Sequence, residues 1–327
     1  MSQVPTTLPV TPAHGLQRRP AENAWLIDQL WGEEAVGILG GEPKTCKSIF
    51  SLHLAVAVAS GVPCMHRFAV ARPGPVLVYA AEDAEHMVCE RVHRIAAGAG
   101  VDLARVPLSF ITATSLRLDR REDGVALDAT IAAFKPRLLI LDPFIRLHRK
   151  DENVAGEIAP ILADLRTIQR QHHTAIIVVH HARKGGGTRA GQALRGSSEF
   201  HAWGDSNLFL RRAEKILTLS IEHRAAPEPD DIPLQLHQDE ESLQLRLLQP
   251  DEASEDGEPT DHRVRILMHL RSSPGPCSRN ELRQALGIRN ATLGAMLATL
   301  QHDGLISRGD DGSVCICTMS ADLTLAP

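Results

Sequence analysis

The sequence predicts an α/β protein with a mostly parallel, doubly wound sheet, an antiparallel C-terminal extension of that sheet and a small winged-helix domain. Three observations predict this class. Short apolar runs alternate with helical segments through the first part of the chain. Shorter strand-like runs joined by brief turns follow residue 205. After an acidic linker, the chain restarts with three helical segments and a hairpin.

Five runs are predicted to form buried parallel strands, because each is short, apolar and rich in β-branched residues. They are residues 35–39, 76–80, 108–112, 138–141 and 175–179. The helices predicted between them are a buried one at 49–60, closed by Gly61, and amphipathic ones at 85–99 and 153–173. The antiparallel extension is predicted at 207–211, 216–222, 232–237 and 242–248.

The chain is predicted to contain two domains. Residues 1–20 are expected to be a flexible, Pro-rich lead-in, and they lack the apolar region of a secretory signal. The α/β domain is predicted at 21–249, an acidic linker at 250–260 and the winged-helix domain at 261–327. The winged-helix prediction depends on helices at 262–271, 278–286 and 290–303, and on hairpin strands at 305–308 and 314–318.

Composition excludes several classes of protein. The net charge of −5 argues against a generally basic surface, so nucleic-acid contacts must come from local patches. No apolar run approaches the roughly 20 residues that span a bilayer, and no membrane partner is expected. The six cysteines include no Cys-x-x-Cys pair, and no histidines show His-Glu-x-x-His spacing. We therefore expect a cytoplasmic protein without a disulfide framework or a histidine-bound catalytic metal.

Residues 40–48, GGEPKTCKS, nearly match the phosphate-binding pattern G-x-x-x-x-G-K-[ST]. The segment follows an apolar strand and opens a helix, where backbone N–H groups bind phosphate. Lys47 would neutralise phosphate oxygens, and the Ser48 hydroxyl would ligate Mg²⁺. The alternative is a plain strand-turn-helix connection. The predicted nucleotide-binding residues are Gly41, Glu42, Pro43, Lys44, Thr45, Cys46, Lys47 and Ser48.

Two carboxylates are predicted near this loop. Asp142 ends an apolar strand, two βα units after the loop, and is a candidate Mg²⁺ ligand beside Ser48. Because Pro143 follows it, a water-activating base must come from elsewhere. Glu82 follows strand 76–81 at the same sheet edge and is the candidate base. Alternatively, Glu82 only favours the start of the next helix.

Histidine and arginine pairs end two other strands. His180 or His181 is predicted to contact the γ-phosphate, although both residues also suit an ordinary strand end. Arg211 or Arg212 is a candidate arginine finger that reaches the nucleotide of a neighbouring subunit. A solvated surface pair is the alternative for these arginines.

Two basic loops are predicted to leave the same edge of the sheet and to bind the DNA backbone. One follows Asp142; the other follows His181 and contains five glycines and no acidic residue. Two solvated loops are the alternative. The basic residues are Arg146, Arg149, Lys150, Arg183, Lys184, Arg189 and Arg195. The winged-helix region has seven arginines and six acidic residues, so both DNA contact and protein contact stay open for it.

Five blocks in order carry a family resemblance: GGEPKTCKS, VLVYAAED, LLILDPFIRLHRKDEN, VVHHARKGGG and ALRGSSEFHAWGDSNLFLRR. Over roughly residues 20–250, the chain resembles RecA-like P-loop ATPases of the plasmid RepA replicative-helicase type. The resemblance implies a RecA fold, hexameric rings, hydrolysis of ATP with Mg²⁺ between subunits, and single-stranded DNA in a central channel.

The same resemblance implies roles by position. Lys47 and Ser48 would contact the phosphates and Mg²⁺, Glu82 would activate water, and Asp142 would be the Walker B acid. His180 or His181 would be the γ-phosphate sensor. Arg211 is the first candidate for the arginine finger, Arg212 is the second, and Arg195 is another candidate.

These observations lead to one principal functional hypothesis and two alternatives. The principal hypothesis is a DNA-dependent ATPase, a ring-forming helicase or translocase that acts in replication or in the maintenance of a mobile element. The first alternative is a nucleotide-gated DNA-binding regulator that recognises duplex DNA through the winged helix. The second is an assembly protein that binds ATP without turnover because Cys46 replaces the last glycine of the motif.

Cys46 itself carries three expectations. If its φ must be positive, a side chain costs about 1 kcal/mol or more relative to glycine. Its position at a helix N-terminus beside Lys47 predicts a lowered thiol pKa and sensitivity to oxidation. If Cys46 lines the site, alkylation of the thiol should block nucleotide binding, and Cys46→Gly should preserve or raise affinity.

Overall fold

A computed structural model of the chain describes the greater part of it. The described residues are 8, 10–16, 20, 23–181, 198–213, 216–227, 229–248, 262–273, 275–288, 290–303, 305–309 and 312–316. The predicted linker 250–260 and most of the predicted lead-in 1–20 therefore lie outside the described residues. Within the described part, no helix is long and apolar enough to cross a membrane.

The described strands are β1 (Trp25–Ile27), β2 (Trp31–Gly32), β3 (Val36–Gly41), β4 (Val76–Ala80), β5 (Leu108–Phe110), β6 (Leu138–Asp142), β7 (Ala175–His181), β8 (Ser206–Ala213), β9 (Ile216–His223), β10 (Ile232–Gln238), β11 (Leu243–Leu247), β12 (Ile306–Arg308) and β13 (Val314–Ile316). The helices are α1 (Lys47–Ser60), α2 (Glu85–Gly98), α3 (Arg121–Phe134), α4 (Ala155–His172), α5 (Ser198–Trp203), α6 (His262–Ser272), α7 (Arg279–Leu286) and α8 (Asn290–His302).

The central sheet has the strand order β11-β10-β9-β8-β3-β7-β6-β4-β5. All neighbouring pairs from β5 to β8 in this order are parallel. Strands β9, β10 and β11 continue from β8 in antiparallel pairs. This is a RecA-like α/β fold with a mostly parallel sheet and antiparallel C-terminal strands. It confirms the predicted fold class of this part of the chain.

Helices cover both faces of the sheet, because the central strands are apolar on both sides. Side chains alternate along β7: Ile177 and Val179 share one buried cluster with Leu54 of α1. Val178 faces the opposite side and shares a second cluster with Ile161 of α4. The alternation decides which residue at the end of β7 faces which side of the sheet.

Strands β6 and β7 run further than predicted, so Asp142 and both terminal histidines of β7 belong to the strands. Helix α3 was not predicted from the sequence. It buries only Leu127 and Ile131, and its Val125 is 62% exposed, so only a narrow apolar stripe marks this segment as a helix. With α3 included, two βα units, β4-α2 and β5-α3, lie between α1 and β6.

Three helices and a hairpin form the last described part of the chain. Residues of α6, α7, α8 and the β12–β13 hairpin share a buried cluster that includes Ile266, Leu282 and Leu297. Helix α7 begins with a capping box, in which Ser278 and Glu281 satisfy each other's backbone N–H groups. This arrangement is the one from which the winged-helix domain was predicted, and the domain boundaries stay a prediction.

The close approach of β3 and β8 generates a stability prediction. A Cβ atom on Gly37 would lie 1.7 Å from the carbonyl oxygen of Ser206, so backbone must move to accommodate it. We expect Gly37→Ala to lower the free energy of unfolding by about 3 kcal/mol. In α3, Gly124 has open space, and Gly124→Ala should raise the same free energy by about 0.5–1 kcal/mol. Urea unfolding of both variants checks this, and equal stabilities would contradict it.

Candidate active site

The carboxyl edge of the parallel strands brings the predicted site residues together. Strand β3 leads through residues 41–46 into α1, which begins at Lys47. Asp142 ends β6, His181 ends β7 and Glu82 follows β4, all at the same edge. Open parallel sheets place their ligand sites at this edge.

The loop between β3 and α1 is tightly folded on its own backbone. A Cβ atom on Gly41 would lie 2.3 Å from the carbonyl oxygen of Leu210, so the position requires glycine. The Thr45 hydroxyl donates to the carbonyl oxygen of Glu42 at 2.8 Å. Lys44 adopts a positive φ of 66°. The loop delivers the chain to the N-terminus of α1, where free backbone N–H groups and the helix dipole attract anions.

Cys46 occupies the left-handed position for which the motif uses glycine. Its φ is 64° and its ψ is 24° at the N-cap of α1, so the expected backbone cost of a side chain applies. The half-buried side chain packs against the hydrophobic cluster below α1. Burial raises the pKa of the Cys46 thiol and outweighs the opposing effects of Arg212 and Lys47. The predicted lowering of this pKa was therefore wrong.

Lys47 is a buried cation, with only 4% of its surface exposed. Its ammonium donates to the carbonyl oxygen of Glu42 at 2.6 Å and lies 3.4 Å from the Thr45 hydroxyl. Burial lowers the pKa of Lys47 to about 8, although the charge of Asp142 opposes the shift. The acceptors that Lys47 contacts are neutral oxygens, which leaves its charge poorly compensated.

Asp142 is a buried carboxyl group with hydroxyl donors. Ser51 Oγ lies 3.4 Å from Asp142 Oδ2, and the Ser48 hydroxyl also donates to this carboxylate. Burial raises the pKa of Asp142 to about 6, with a further contribution from Asp83. The predicted neighbours Ser48 and Asp142 are thus brought together. Ser51 was missed by sequence reasoning; its signal is a hydroxyl one helical turn after Ser48.

These residues fit a magnesium–nucleotide complex. Within the described residues, no group of three or more His, Cys, Asp or Glu side chains could hold a metal ion. Magnesium on a nucleotide needs less, because waters and phosphate oxygens supply most of its ligands. The Ser48 hydroxyl and the Asp142 carboxylate would supply one or two ligands, and Lys47 would supply positive charge for the phosphates. The bound complex would also compensate both buried charges.

Glu82 lies beyond the end of β4 and is half-exposed. Its Oε1 accepts from Arg146 Nε at 2.9 Å, and its Oε2 lies 3.9 Å from His181 Nε2. The adjacent Asp83 forms an ion pair with Arg91 of α2, so it contributes to the start of that helix. The structure therefore brings the predicted base to the same edge as the phosphate-binding loop, with a basic-loop arginine attached to it.

The two histidines that end β7 face opposite sides of the sheet. They pair in register with Gly40 and Gly41 of β3, respectively. His181 faces the α1 side beside Glu82; burial and the charge of Lys47 lower its pKa. His180 faces the other side and packs on Phe200, with ring centroids 4.4 Å apart. Of the two candidates, the geometry places His181 on the side of the phosphate-binding loop.

His180 belongs instead to a buried network that the sequence did not reveal. Its Nε2 lies 3.4 Å from Glu152 Oε2, and His148 Nε2 lies 3.5 Å from Glu152 Oε1. Burial alone would raise the pKa of Glu152, but its interactions with His148 and His180 lower that pKa to about 2. His148 Nδ1 accepts from the Lys150 backbone N–H at 3.2 Å. The network ties the loop after β6 to β7.

The two candidate finger arginines also separate. Arg212 donates to the carbonyl oxygen of Lys44 at 3.1 Å, so it contacts the phosphate-binding loop of its own chain. Arg211 reaches Asp231 at 3.2 Å. Arg212 therefore lies where it would meet a nucleotide bound by its own subunit. A finger role toward a neighbouring subunit stays a prediction for Arg211.

The predicted DNA-binding residues are described only in part. The exposed residues Arg146, Arg149 and Lys150 lie in the loop that follows β6. The remaining predicted members of this set, and the alternative finger candidate, lie outside the described residues: Arg183, Lys184, Arg189 and Arg195.

Comparison with known proteins identifies the family. The model of the AAA domain family matches residues 3–187, more than half of the chain. The chain belongs to the AAA domain family. It is a P-loop AAA protein, and this assignment agrees with the loop, the buried lysine and the buried acid described above.

A solved structure shares the fold of this AAA protein. It is titled "The Structure Of A DnaB-Like Replicative Helicase And Its Interactions With Primase". The two chains are 14% identical with a TM-score of 0.50, over 64% of this chain and 57% of the solved one. This chain therefore matches a little over half the length of the solved helicase chain. At this identity the likeness shows the RecA-like fold alone.

The raised pKa of Asp142 predicts an unusual dependence of stability on pH. Because folding raises this pKa above its usual value of 3.8 to about 6, stability falls as pH rises from about 4 to about 6. At pH 7.5 we expect Asp142→Asn to raise the free energy of unfolding by about 1–2 kcal/mol. The variant removes the cost of the raised pKa, roughly 1.36 kcal/mol per pKa unit, but it also loses the attraction between the carboxylate and Lys47, which offsets part of this gain.

Chemical denaturation at pH 7.5 and pH 4 measures this difference. The gain should nearly disappear at pH 4, where Asp142 is protonated in the folded state and only about half ionised in the unfolded state. Glu82→Gln is the matched control, because this half-exposed carboxylate should change stability by less than about 0.5 kcal/mol. A destabilised Asp142→Asn variant at pH 7.5 would refute the account of an uncompensated buried charge.

The left-handed backbone of Cys46 predicts a difference between two truncations. Cys46→Gly and Cys46→Ala both remove the sulfur, but only glycine relieves the positive φ. We expect Cys46→Gly to be more stable than Cys46→Ala by about 1 kcal/mol, as measured by thermal or chemical unfolding. Equal stability of the two variants would show that the backbone at this position is not strained.

Proposed function

We propose that this AAA protein is a DNA-dependent ATPase that hydrolyses ATP with Mg²⁺ and acts as a ring-forming helicase or translocase. The observation that carries the proposal is the juxtaposition of Lys47 and Asp142. Two buried groups of opposite charge, both contacted mainly by neutral partners, lie at the start of α1. A magnesium–nucleotide complex would compensate both, because Lys47 would hold its phosphates and Asp142 would hold its metal.

Each residue then has a defined task. Lys47 and the backbone N–H groups that begin α1 bind the phosphates, and Ser48 and Asp142 hold the hydrated metal. Glu82 accepts a proton from the attacking water. His181, on the α1 side of β7, contacts the γ-phosphate. Bound ATP with Mg²⁺ supplies the phosphoryl group and the metal's positive charge, while the protein supplies position and electrostatics.

The proposed DNA contact is the edge of the sheet from which the basic residues project. Arg146, Arg149 and Lys150 are exposed in one loop there, and exposed basic side chains bind the phosphate backbone without sequence preference. The shared fold with the DnaB-like replicative helicase supports single-stranded DNA as the polymer and a homo-oligomeric ring, taken here as a hexamer. Arg211 is our candidate for the finger that crosses between subunits.

A second candidate function is a nucleotide-gated DNA-binding regulator. The three helices and hairpin at 262–316, with their own buried cluster, favour it. We propose the boundaries 21–249 for the ATPase domain and 261–327 for a winged-helix domain that binds duplex DNA. In that case, nucleotide binding would control assembly on duplex DNA and would not drive movement on a single strand.

An assay of phosphate release with and without single-stranded DNA tests the principal proposal. We expect Mg²⁺-dependent hydrolysis that DNA stimulates several-fold and that Lys47→Ala lowers by at least about 100-fold, because a phosphate-neutralising charge is lost. Lys135→Ala, at the C-terminus of α3, is the control and should leave the rate unchanged.

The outcomes separate the candidates. Hydrolysis that neither DNA nor Lys47→Ala affects would refute the principal proposal. Tight nucleotide binding without phosphate release, unchanged by Glu82→Gln, would indicate an assembly protein. Duplex binding that requires nucleotide, with hydrolysis unaffected by single strands, would indicate the regulator.

A further inference from the structure

The loop that follows β6 brings together two residues with different proposed tasks. Arg146, a proposed DNA contact, donates from Nε to Oε1 of Glu82 at 2.9 Å. Glu82 is the proposed general base. While the guanidinium occupies this carboxylate oxygen, the oxygen is not available to accept a proton from water. The DNA contact and the base are therefore linked directly, through one hydrogen bond.

The loop that follows β6 is anchored on both sides of Arg146. Phe144 is buried two residues after Asp142. His148 is buried as well, and its ring faces Phe144 at a centroid distance of 4.4 Å. Glu152 lies between His148 and His180 of β7. These buried residues fix the backbone that carries the exposed Arg146 side chain. The contact between Arg146 and Glu82 therefore has a defined geometry.

The contact is also weak enough to be exchanged. The side chains of Arg146 and Glu82 are 62% and 40% exposed, and exposed ion pairs contribute little because water and salt screen them. A DNA phosphate is a suitable competitor, since arginine binds phosphate with paired, charge-assisted hydrogen bonds. A nucleic acid that reaches this loop can therefore take Arg146 from Glu82 at small cost.

We propose that Arg146 is a positioning residue that restrains Glu82 without DNA, and that a phosphate of single-stranded DNA takes Arg146 and releases Glu82 for catalysis. This inference rests on the proposed function, because it needs Glu82 as the base. It explains how DNA stimulates hydrolysis in one step, by exchange of a hydrogen-bond partner. His181, 3.9 Å from the other carboxylate oxygen, then remains beside the freed base.

Coupling between two sites is reciprocal, so the exchange is measurable by binding alone. If DNA must displace Glu82 from Arg146, Glu82→Gln should strengthen binding of a fluorescent oligo-dT by about two- to five-fold, the range that an exposed pair provides. In an Arg146→Gln background the gain should vanish, as a double-mutant cycle requires. The whole 327-residue chain is used throughout, without nucleotide.

Asp102→Asn provides the matched control. It breaks an exposed arginine–carboxylate pair of the same kind, Arg105 Nε to Asp102 Oδ2 at 3.2 Å, at the opposite edge of the sheet. This variant should bind DNA as the wild type does. A Glu82→Gln variant without tighter binding, or with the same gain in the Arg146→Gln background, would overturn the inference. Absence of oligo-dT binding by the wild type would also overturn it.

Hydrolysis supplies a second readout. Arg146→Gln should raise the DNA-free turnover number several-fold and reduce further stimulation by DNA, whereas a merely structural role of Arg146 would lower both rates. An Arg146→Gln variant with a low DNA-free rate and full stimulation at saturating DNA would contradict the inference. If Lys47-dependent hydrolysis is absent while the binding cycle shows coupling, the proposed activity fails and the Arg146–Glu82 exchange stands.

Discussion

Burial of the Lys47 ammonium and the Asp142 carboxyl at the start of α1 is the interaction on which the rest of the site depends. Burial shifts both pKa values toward the neutral forms, to about 8 and about 6. Their hydrogen-bond partners in the protein are mainly neutral oxygens and hydroxyls, so each charge is compensated only in part, by the other one. We propose that a phosphate and a divalent ion together complete this compensation, which would favour binding of a magnesium–nucleotide complex.

Alternation along strands then distributes the remaining functions. At the end of β7, His181 faces the phosphate-binding loop and Glu82, while His180 faces the network that holds the loop after β6. At the end of β8, Arg212 reaches the carbonyl of Lys44, and Arg211 turns to Asp231. Adjacent residues of like type therefore serve different sites, because successive side chains of a strand point to opposite faces.

The sequence was sufficient for the fold class and for the grouping of Lys47, Ser48 and Asp142, because strand-edge geometry follows from a parallel sheet. It was insufficient for α3, which buries only Leu127 and Ile131 in a narrow apolar stripe, and for the network around Glu152, which forms only between elements distant in sequence. The thiol pKa of Cys46 was predicted in the wrong direction, since burial outweighs the neighbouring positive charges.

The central claim, that a magnesium–nucleotide complex compensates Lys47 and Asp142, is tested most directly by thermal unfolding with a non-hydrolysable ATP analogue. The account predicts that the analogue raises the melting temperature of the wild type, and that Mg²⁺ adds a further increase that Asp142→Asn abolishes. An unchanged melting temperature, or a magnesium increment that survives in Asp142→Asn, would contradict the claim.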